Sequence, residues 1–305
     1  MSKPEKTQSR PRESQWNILK LLRWTTSYFK SHNIENPRAD AEVLLANALN
    51  LKRIDLYLRY DQPLCNHELS LFKGFIKRRI DREPVAYIVG VKEFWSMELA
   101  VTRDVLIPRP ETECLVEAAL SYLPENSGRS PKRVLELGTG SGAVALALAS
   151  ERPAHLFFAS DRSEKAIRIA KSNALRHHLD SAIHFFVGDW FLPLIPDTCS
   201  FDMILSNPPY VPSRVIGLLQ PEIYQYEPIG ALDGCKDGLF CIRQIIDHSD
   251  RYLNSGGFLL LEIGHDQKNE VRKIIDQCGN FEAVAFLKDY CGYDRVVHMK
   301  KRSIG

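Results

Sequence analysis

The sequence predicts a two-part α/β protein, in which a small helical region precedes a larger region built on a mostly parallel sheet. After about residue 130, short apolar segments alternate with helical segments, as in parallel sheets that carry helices on both faces. Before residue 90, apolar residues recur instead at helical spacing. The length of 305 residues is typical of two domains. We therefore expect a domain boundary near residue 90.

The N-terminal region, residues 14–90, is predicted to contain amphipathic helices. Their apolar residues are Trp16, Leu19, Leu22 and Trp24, then Ala41, Leu44, Leu45 and Ala48, then Leu71, Phe72, Phe75 and Ile76. Breakers at Asn36-Pro37 and at residues 61–63 separate the helices. Residues 1–13 form a polar tail without the apolar stretch of a signal peptide. A mitochondrial presequence is disfavoured because Glu5 and Glu13 interrupt its basic residues.

A hairpin and a rigid connector are predicted to link the two regions over residues 91–110. Alternating residues such as Phe94, Leu99 and Val101 indicate the hairpin. Ile107-Pro108-Arg109-Pro110 is an extended connector, and a helix is expected over 111–122. Residues 124–128 are rich in turn-forming types.

The remaining elements alternate along the chain as an α/β sheet requires. Strands are predicted at 133–137, 155–160, 183–187, 201–206, 257–263, 281–288 and 295–299, and helices at 142–150, 163–175, 238–253 and 266–278. Because no helix separates the last two strands, we expect an antiparallel edge there.

Composition excludes several classes of protein. The 40 basic and 38 acidic residues give a net charge of +2, which argues against a dedicated duplex-DNA binder. Seven cysteines without a C-x-x-C pair argue against a metal site and against a disulfide framework. No apolar segment reaches the roughly 18 residues of a membrane span. We expect a cytoplasmic monomer that binds neither membrane nor nucleic acid.

The strongest local signal is a glycine loop between an apolar strand and an alanine-rich helix. Gly138, Gly140 and Gly142 alternate with Thr139 and Ser141, giving G-x-G-x-G rather than the G-x-G-x-x-G of dinucleotide folds. Just before this loop stands Glu136. An acid there repels phosphate but suits a cationic amino-acid ligand, which favours S-adenosylmethionine over NAD. A glycine turn without a ligand is the alternative.

Acidic residues follow the next two strands. Asp161 stands where a carboxylate can accept both ribose hydroxyls of a nucleoside. A helix N-cap is its alternative role, for which Ser163 competes. After the third strand, Asp189 can accept from an adenine amino group and Trp190 can cover the ring. An ordinary buried tryptophan is the alternative for Trp190.

The second strong signal is Asn207-Pro208-Pro209-Tyr210 at the end of a strand. Two prolines in succession hold a rigid loop. The Asn207 side-chain oxygen and the Pro208 carbonyl can then each accept a hydrogen bond from one planar NH2 group, on which Tyr210 can pack. Such a site suits methylation of an amide or an aromatic amine, because holding a weak nucleophile in line supplies proximity. A plain turn is the alternative.

Together these motifs resemble the HemK/PrmC family of protein-(glutamine-N5) methyltransferases, which act on peptide chain release factors. The likeness runs from about residue 14 to the end of the chain. It includes residues 82–90 with Phe94-Trp95, the hallmark Ile-Pro-Arg-Pro-Glu-Thr-Glu at 107–113, Leu-Leu-Glu-Ile-Gly at 260–264 and Asp-Arg-Val-Val at 294–297.

The resemblance implies a seven-stranded, Rossmann-like class I methyltransferase domain over 111–305 and a substrate-docking helical domain over 14–90. It also implies methylation of the glutamine in a Gly-Gly-Gln loop by S-adenosylmethionine, in support of translation termination. Cofactor-binding residues would be Glu136, Gly138, Thr139, Gly140, Ser141, Gly142, Asp161, Asp189, Trp190 and Asn207. Asn207, Pro208, Pro209 and Tyr210 would hold the substrate amide and be the catalytic residues.

The chain departs from the family pattern at one loop, and two other functions compete. Cys235 replaces a glycine, and Ile229-Gly230 stands where a basic residue is common. Packing is favoured over a redox role for Cys235.

A nucleic-acid amino-methyltransferase uses the same Asn-Pro-Pro-Tyr, but it would need a basic groove and a target-recognition domain. A non-catalytic adaptor is disfavoured by the intact motifs.

The net charge hides an asymmetry between the two regions. Residues 1–90 carry 16 basic against 10 acidic side chains, and residues 91–305 carry 24 against 28. Five basic residues fall on one predicted helix: Lys73, Lys77, Arg78, Arg79 and Arg82. We expect this helix to steer an acidic protein partner. An ordinary solvated face is the alternative.

Overall fold

The computed structural model describes residues 16–125 and 130–303, and the chain divides between Val89 and Gly90 into two compact units. The predicted tail over 1–13 and part of the predicted turn over 124–128 lie outside the described residues.

The first unit is helical within its described residues. Its helices are α1 (Ile18–Ser31), α2 (Pro37–Ala48), α3 (Arg53–Leu58), α4 (Asn66–Ile80) and α5 (Val85–Val89). Asn17 caps α1 by accepting from the Lys20 backbone N–H, and Pro37 opens α2, where the missing N–H of proline costs nothing. The sequence predicted the helices around α1, α2 and α4, whereas the short α3 and α5 were missed.

The core of this unit confirms one predicted apolar face and corrects another. Ala41, Leu44, Leu45 and Ala48 of α2 are all buried, as predicted. On α1, however, the buried face is formed by Ile18, Leu21, Leu22 and Phe29. Trp16 and Trp24 are 39% and 46% exposed, so their assignment to the core face was wrong. Each residue turns a helix by 100°, so a choice of face shifted by one residue exposes different side chains.

The second unit opens with the predicted hairpin, β1 (Val91–Phe94) and β2 (Met97–Ala100), paired antiparallel. Trp95 and Ser96 both have positive φ, which matches the twist of a two-residue hairpin turn. Phe94 and Leu99 are buried in the core that lies on one face of the large sheet. The hairpin therefore packs as part of this unit.

A seven-stranded sheet forms the centre of the second unit, in the order β5-β4-β3-β6-β7-β9-β8. Its strands are β3 (Arg133–Leu137), β4 (Leu156–Asp161), β5 (Ile183–Val187), β6 (Phe201–Ser206), β7 (Leu253–Glu262), β8 (Phe281–Lys288) and β9 (Asp294–Lys301). The first five are parallel, whereas β9 runs antiparallel to both β7 and β8. The predicted α/β class, with its antiparallel edge, is confirmed.

Helices cover both faces of this sheet. They are α6 (Glu113–Leu120), α7 (Ala143–Glu151), α8 (Glu164–Arg176), α9 (Ser213–Ile216), α10 (Pro221–Tyr224), α11 (Phe240–Ser249) and α12 (Lys268–Cys278). One apolar core includes residues of α6 and α7, and the other includes residues of α11 and α12. Within the described residues, no helix is long and apolar enough to span a bilayer.

Several predicted boundaries differ from the structure by a few residues, and in two cases a 3-10 turn flanks the helix. The helix expected over 111–122 is a 3-10 turn, Pro110–Thr112, followed by α6. The helix expected over 238–253 is α11 followed by a 3-10 turn, Asp250–Tyr252, so β7 begins at Leu253 rather than at 257. Each 3-10 turn tightens one end of a helix. The periodicity of apolar residues in the sequence does not reveal such turns.

The order of the strands determines where a ligand can bind. From β3 the chain moves outward through β4 and β5 and then returns to β6 on the other side of β3. In open α/β sheets, ligands bind outside the carboxyl ends of the strands at such a switch point. The glycine loop follows β3, Asp161 ends β4, Asn207 follows β6 and Glu262 ends β7.

Candidate active site

A cavity of about 450 Å³ lies in the second unit, and most of the predicted site residues line it. These are Glu136, Gly138, Thr139, Gly140, Ser141, Asp161, Asp189, Trp190, Asn207 and Pro209. Gly142, Pro208 and Tyr210 are absent from its wall. The structure therefore brings the glycine loop and the Asn-Pro-Pro-Tyr segment to one cavity, although these motifs lie about 65 residues apart in the sequence.

The glycine loop owes its shape to backbone that other residues rarely adopt. Gly138 and Gly140 have φ of 74° and 56°, in the left-handed region. The N–H groups of Gly138 and Thr139 both donate to the Ser160 carbonyl at 2.9 Å, which ties the loop to β4. Gly140 N–H donates to Asp161 Oδ2 at 2.9 Å. The loop is thus held from behind by β4 while its other side forms the cavity wall.

Gly142 has a packing role that the motif alone does not reveal. It lies at the N-terminus of α7 with φ of 85°. A Cβ there would lie 3.2 Å from the Ala170 Cβ and 3.2 Å from Leu146 Cδ1. Since Ala170 belongs to α8, the absence of a side chain at Gly142 allows α7 and α8 to pack closely. The expected contact between Gly142 and a cofactor stays a prediction.

Glu136 is a buried carboxyl at the base of the loop. Its Oε2 accepts from Thr139 Oγ1 at 2.6 Å and from Ala145 N–H at 3.1 Å. Burial raises the pKa of Glu136 to about 8, in spite of these two hydrogen bonds, and the nearby Asp161 adds to the rise. A cation placed beside Glu136 would favour its ionised form.

Asp161 holds the turn at the end of β4, and a different residue caps the following helix. Asp161 Oδ1 accepts from Ser163 N–H at 2.9 Å, while Oδ2 binds the glycine loop. The Ser163 hydroxyl accepts from Ala166 N–H and caps α8. The carboxylate of Asp161 is therefore fixed by two backbone donors and lines the cavity, with lone pairs left for a further donor.

Trp190 and Asp189 form another part of the wall. Trp190 has φ of 49°, and its ring carbon Cζ3 lies 3.9 Å from the position that a Cβ on Gly138 would take. The indole therefore stands beside the glycine loop rather than fully inside a core. Asp189 is exposed and lines the same cavity.

The two ends of the Asn-Pro-Pro-Tyr segment are held by hydrogen bonds. Asn207 Nδ2 donates to Thr112 Oγ1 at 3.1 Å, and the Tyr210 hydroxyl donates to Glu262 Oε1 at 3.2 Å. Burial raises the pKa of Tyr210, and the neighbouring Glu262 adds to the rise. Pro208 is buried beneath the loop. The Tyr210 hydroxyl is thus directed to Glu262. The stacking of the Tyr210 ring on a substrate amide stays a prediction.

Thr112 and Glu262 lie within the sequence motifs, but no role was predicted for either residue. Glu262 is 1% exposed, and burial raises its pKa to about 7, opposed mainly by Thr112 and Arg295. The signal was present in the sequence, since Glu262 is a single acid in an apolar strand, as Glu136 is. Thr112 lies in the hallmark segment and lines the cavity.

The connector before α6 forms a further part of the wall and is fixed by one buried acid. Arg109 Nη2 donates to Glu227 Oε1 at 2.5 Å, and Ile107 N–H donates to Glu227 Oε2 at 3.3 Å. Burial raises the pKa of Glu227, an effect that Arg109 opposes. Arg109 lines the cavity and Glu227 lies behind it, a role that sequence reasoning missed.

The loop that departs from the family pattern also reaches the cavity. Cys235 is exposed with φ of 68° and lines the cavity, so the expectation that it has a packing role was wrong. Gly234 N–H donates to the Val211 carbonyl at 2.9 Å, which ties this loop to the segment after Tyr210. At Gly230, the carbonyl accepts from Arg162 Nη2 at 3.2 Å, so a guanidinium occupies this part of the wall.

The donors and acceptors of this cavity suit an uncharged or cationic ligand. Five acidic side chains line it against two arginines, of which Arg109 is paired with Glu227, and the glycine loop allows close backbone approach. Within the described residues, no three side chains of the His, Cys, Asp or Glu type group as a metal site would require.

Comparison with known proteins agrees with this arrangement. Residues 20–90 match the PrmC N-terminal domain, and residues 115–218 match the methyltransferase small domain. The release factor glutamine methyltransferase of Geobacter sulfurreducens is 41% identical over 92% of this chain and 96% of that protein. The protein of the same description from Escherichia coli is 42% identical over 86% of this chain and 91% of that protein.

A more distant solved structure shares the fold alone. The hMettl16 catalytic domain, solved in complex with MAT2A 3'UTR hairpin 6, superposes with a TM-score of 0.52 at 15% identity. The likeness covers 81% of this chain and 86% of that one. The likeness to the Geobacter and Escherichia proteins decides the family, because it combines high identity with nearly complete coverage. The chain therefore belongs to the release factor glutamine methyltransferase family.

Proposed function

We propose that this protein methylates the side-chain amide nitrogen (N5) of the glutamine in the Gly-Gly-Gln loop of peptide chain release factors. S-adenosylmethionine is the methyl donor and S-adenosylhomocysteine the product. One observation carries the proposal: Asn207 and Pro209 share a cavity with the glycine loop and Asp161. The site for the substrate amide and the pocket for the nucleoside therefore lie side by side, as a methyl transfer between two bound partners requires.

The residues of the cavity fit S-adenosylmethionine, which supplies an electrophilic methyl group on a sulfonium. Asp161 has lone pairs for the ribose hydroxyls, and the glycine loop admits the amino-acid part close to the backbone. Glu136 lies where a nearby cation would favour its carboxylate form. Trp190 and Asp189 would receive the adenine, the first by ring contact and the second by accepting from its amino group.

The substrate amide would be oriented by the Asn-Pro-Pro-Tyr segment. Since Asn207 Nδ2 already donates to Thr112, the Asn207 Oδ1 atom is the one left to accept from a substrate NH2 group. The Pro208 carbonyl would accept the second hydrogen. The nitrogen then attacks the methyl group directly and in line, without a covalent enzyme intermediate. It becomes acidic once methylated, so its proton can pass to water or to a carbonyl.

The role of Asn207 can be tested by replacing it with alanine. We expect Asn207→Ala to abolish methylation of a release factor while S-adenosylmethionine still binds, because the amide contact is lost and the glycine loop remains. Turnover is measured with labelled cofactor and binding by calorimetry. Full turnover by the variant would refute this role for Asn207.

The substrate class can be tested by offering several candidates to the purified protein. We propose that the protein acts as a cytoplasmic monomer and that its helical unit helps release factors to dock. Release factors should then receive the labelled methyl group. Transfer of labelled methyl to release factor, tRNA, rRNA and DNA is compared, and the modified glutamine peptide is identified by mass spectrometry. Label on nucleic acid alone would favour an amino-methyltransferase of nucleic acid.

A further inference from the structure

Both ends of the Asn-Pro-Pro-Tyr segment lead to one buried carboxyl, that of Glu262 at the end of β7. Tyr210 reaches it directly through a hydroxyl at 3.2 Å from Oε1. Asn207 Nδ2 donates to Thr112 Oγ1 at 3.1 Å, and the Thr112 hydroxyl lies near enough to Glu262 to oppose the rise in its pKa. Glu262 is 1% exposed and is not part of the cavity wall.

The chemistry of these groups gives the hydrogen bonds a direction. An ionised carboxylate only accepts, so hydroxyl groups that face it donate their single proton to it. Thr112 has then only lone pairs left for Asn207. The Asn207 amide must turn its NH2 toward Thr112, which leaves Oδ1 as the acceptor for a substrate.

We infer that Glu262 is a positioning residue for methyl transfer: through Thr112 and Tyr210 it fixes the Asn-Pro-Pro-Tyr segment with the Asn207 oxygen directed to the substrate. The inference deepens the proposed function and rests on it for the identity of the substrate. The grouping of Glu262, Tyr210, Thr112 and Asn207 is a property of the site itself, and the direction of hydrogen bonding inferred within it can be tested without a substrate.

The surroundings of Glu262 place its ionisation near neutral pH. Arg295 of β9 favours the carboxylate, and Glu111 opposes it. Cys114 of α6 also faces this group, since Glu262 helps raise the pKa of its thiol. The second carboxyl oxygen, Oε2, is buried without a hydrogen-bond partner among the described residues, and Tyr210 is the side chain whose hydrogen bond to Oε1 holds this carboxyl. A neutral Glu262 would itself carry a donor, and the order of hydrogen bonds would no longer be fixed.

The first test replaces Glu262 with glutamine, which has the same shape but adds an NH2 donor. We expect kcat for release-factor methylation to fall on the order of 10- to 100-fold, as misplacement of a reacting group does, while the substrate KM and the cofactor Kd stay unchanged. Wild-type kcat should fall as the pH drops below about 7, and this acidic limb should be missing in Glu262→Gln.

Three further variants separate positioning from general damage. Thr112→Val removes the hydroxyl and should lower kcat as Glu262→Gln does, whereas Thr112→Ser keeps the hydroxyl and should restore it. The control is Asp202→Asn, which makes the same change from carboxylate to amide near the start of β6, at the other end of the strand from Asn207. Asp202 binds Lys132 and the Arg133 N–H there, each at 2.9 Å. This control should keep the wild-type kcat.

The outcomes distinguish the inference from the proposed function. If the wild-type protein methylates release factor and Glu262→Gln does so with wild-type kcat and pH profile, the inference is wrong. If the wild-type protein does not methylate release factor, the proposed function is wrong. Whether or not release factor is methylated, NMR can follow the side-chain amide signal of Asn207. This signal is assigned by its loss in Asn207→Ala. A shift with pH that persists unchanged in Glu262→Gln would also overturn the inference.

Discussion

Glu136 is a buried carboxyl at which binding of a cation would release a proton. Its pKa is raised to about 8 by burial, so between its ordinary value of 4.5 and pH 8 the folded protein holds a proton that the unfolded chain has lost. The contribution of this group to the free energy of unfolding therefore decreases as the pH rises through that window. A cationic ligand beside the carboxyl would lower the pKa again and expel the proton.

We therefore expect the affinity for S-adenosylmethionine to increase between about pH 6 and 7.5, below the range where the α-amino group of the ligand itself titrates. Calorimetry in buffers of different ionisation enthalpy would report the released proton directly. The Glu136→Gln variant should bind without proton release and with a flatter pH dependence. An equal slope in this variant and in the wild-type protein would show that Glu136 is not the coupled group.

Which residues could be predicted from the sequence depended on whether their role is local. Gly138 and Gly140 lie between β3 and α7, Asp161 ends β4 just before α8, and the structure places all three in the cavity wall. Glu262 and Glu227 act through residues more than 50 positions away in the sequence, Tyr210 and Arg109 respectively. Spacing along the chain carries no information about such contacts, so the partners of these two acids could not be predicted, although Glu262 is conspicuous as a single acid in an apolar strand.

At the scale of elements, the glycine loop combines two requirements that alanine substitutions should separate. Gly142 has φ of 85° and lies where a Cβ would meet Ala170 and Leu146 at 3.2 Å. Gly140 has φ of 56°, but a Cβ there would have no neighbour within 4 Å. Of these two glycines, Gly140 lines the cavity and Gly142 does not. One glycine is needed for the packing of α7 against α8, and the other leaves space at the proposed ligand site.

We expect Gly142→Ala to lower the free energy of unfolding by more than the roughly 1–2 kcal/mol that left-handed backbone alone costs an alanine. The folded fraction should bind S-adenosylmethionine nearly as the wild-type protein does. Gly140→Ala should be the more stable of the two variants but should bind the cofactor more weakly. Denaturant unfolding and calorimetric titration measure both quantities, and the opposite ranking would contradict this division of roles.

The elements themselves could be predicted well where apolar runs are short and bounded. The strands β3, β5, β6 and β8 begin and end at the residues expected from sequence. The start of β7 was missed because Asn254, Ser255 and Gly256 are poor strand residues, yet they continue the strand toward its N-terminus. Leu253 pairs with Phe201 of β6, and pairing resumes at Phe258, so residues 254–257 form an irregular stretch that periodicity does not predict.

For the whole molecule, the charge asymmetry remains but the predicted basic helix is changed by the structure. Arg79 of α4 is 5% exposed and binds Asp40 at 2.8 Å. Arg78 binds Glu83 at 2.7 Å, and Arg82 Nη1 donates to the Asn33 carbonyl. These three arginines stabilise the helical unit. Of the five basic residues, only Lys73 and Lys77 are both exposed and on α4.

If the helical unit steers an acidic partner, reversing these two lysines should slow association. We expect Lys73→Glu with Lys77→Glu to lower the association rate with release factor by roughly three- to tenfold at low ionic strength, with the difference fading as salt screens the charges. Stopped-flow mixing measures the rate, and cofactor affinity should not change. The matched control carries the same charge change at Lys171 and Lys273, which are exposed on α8 and α12. Equal slowing in the control would show that net charge alone, and not the helical unit, determines the rate.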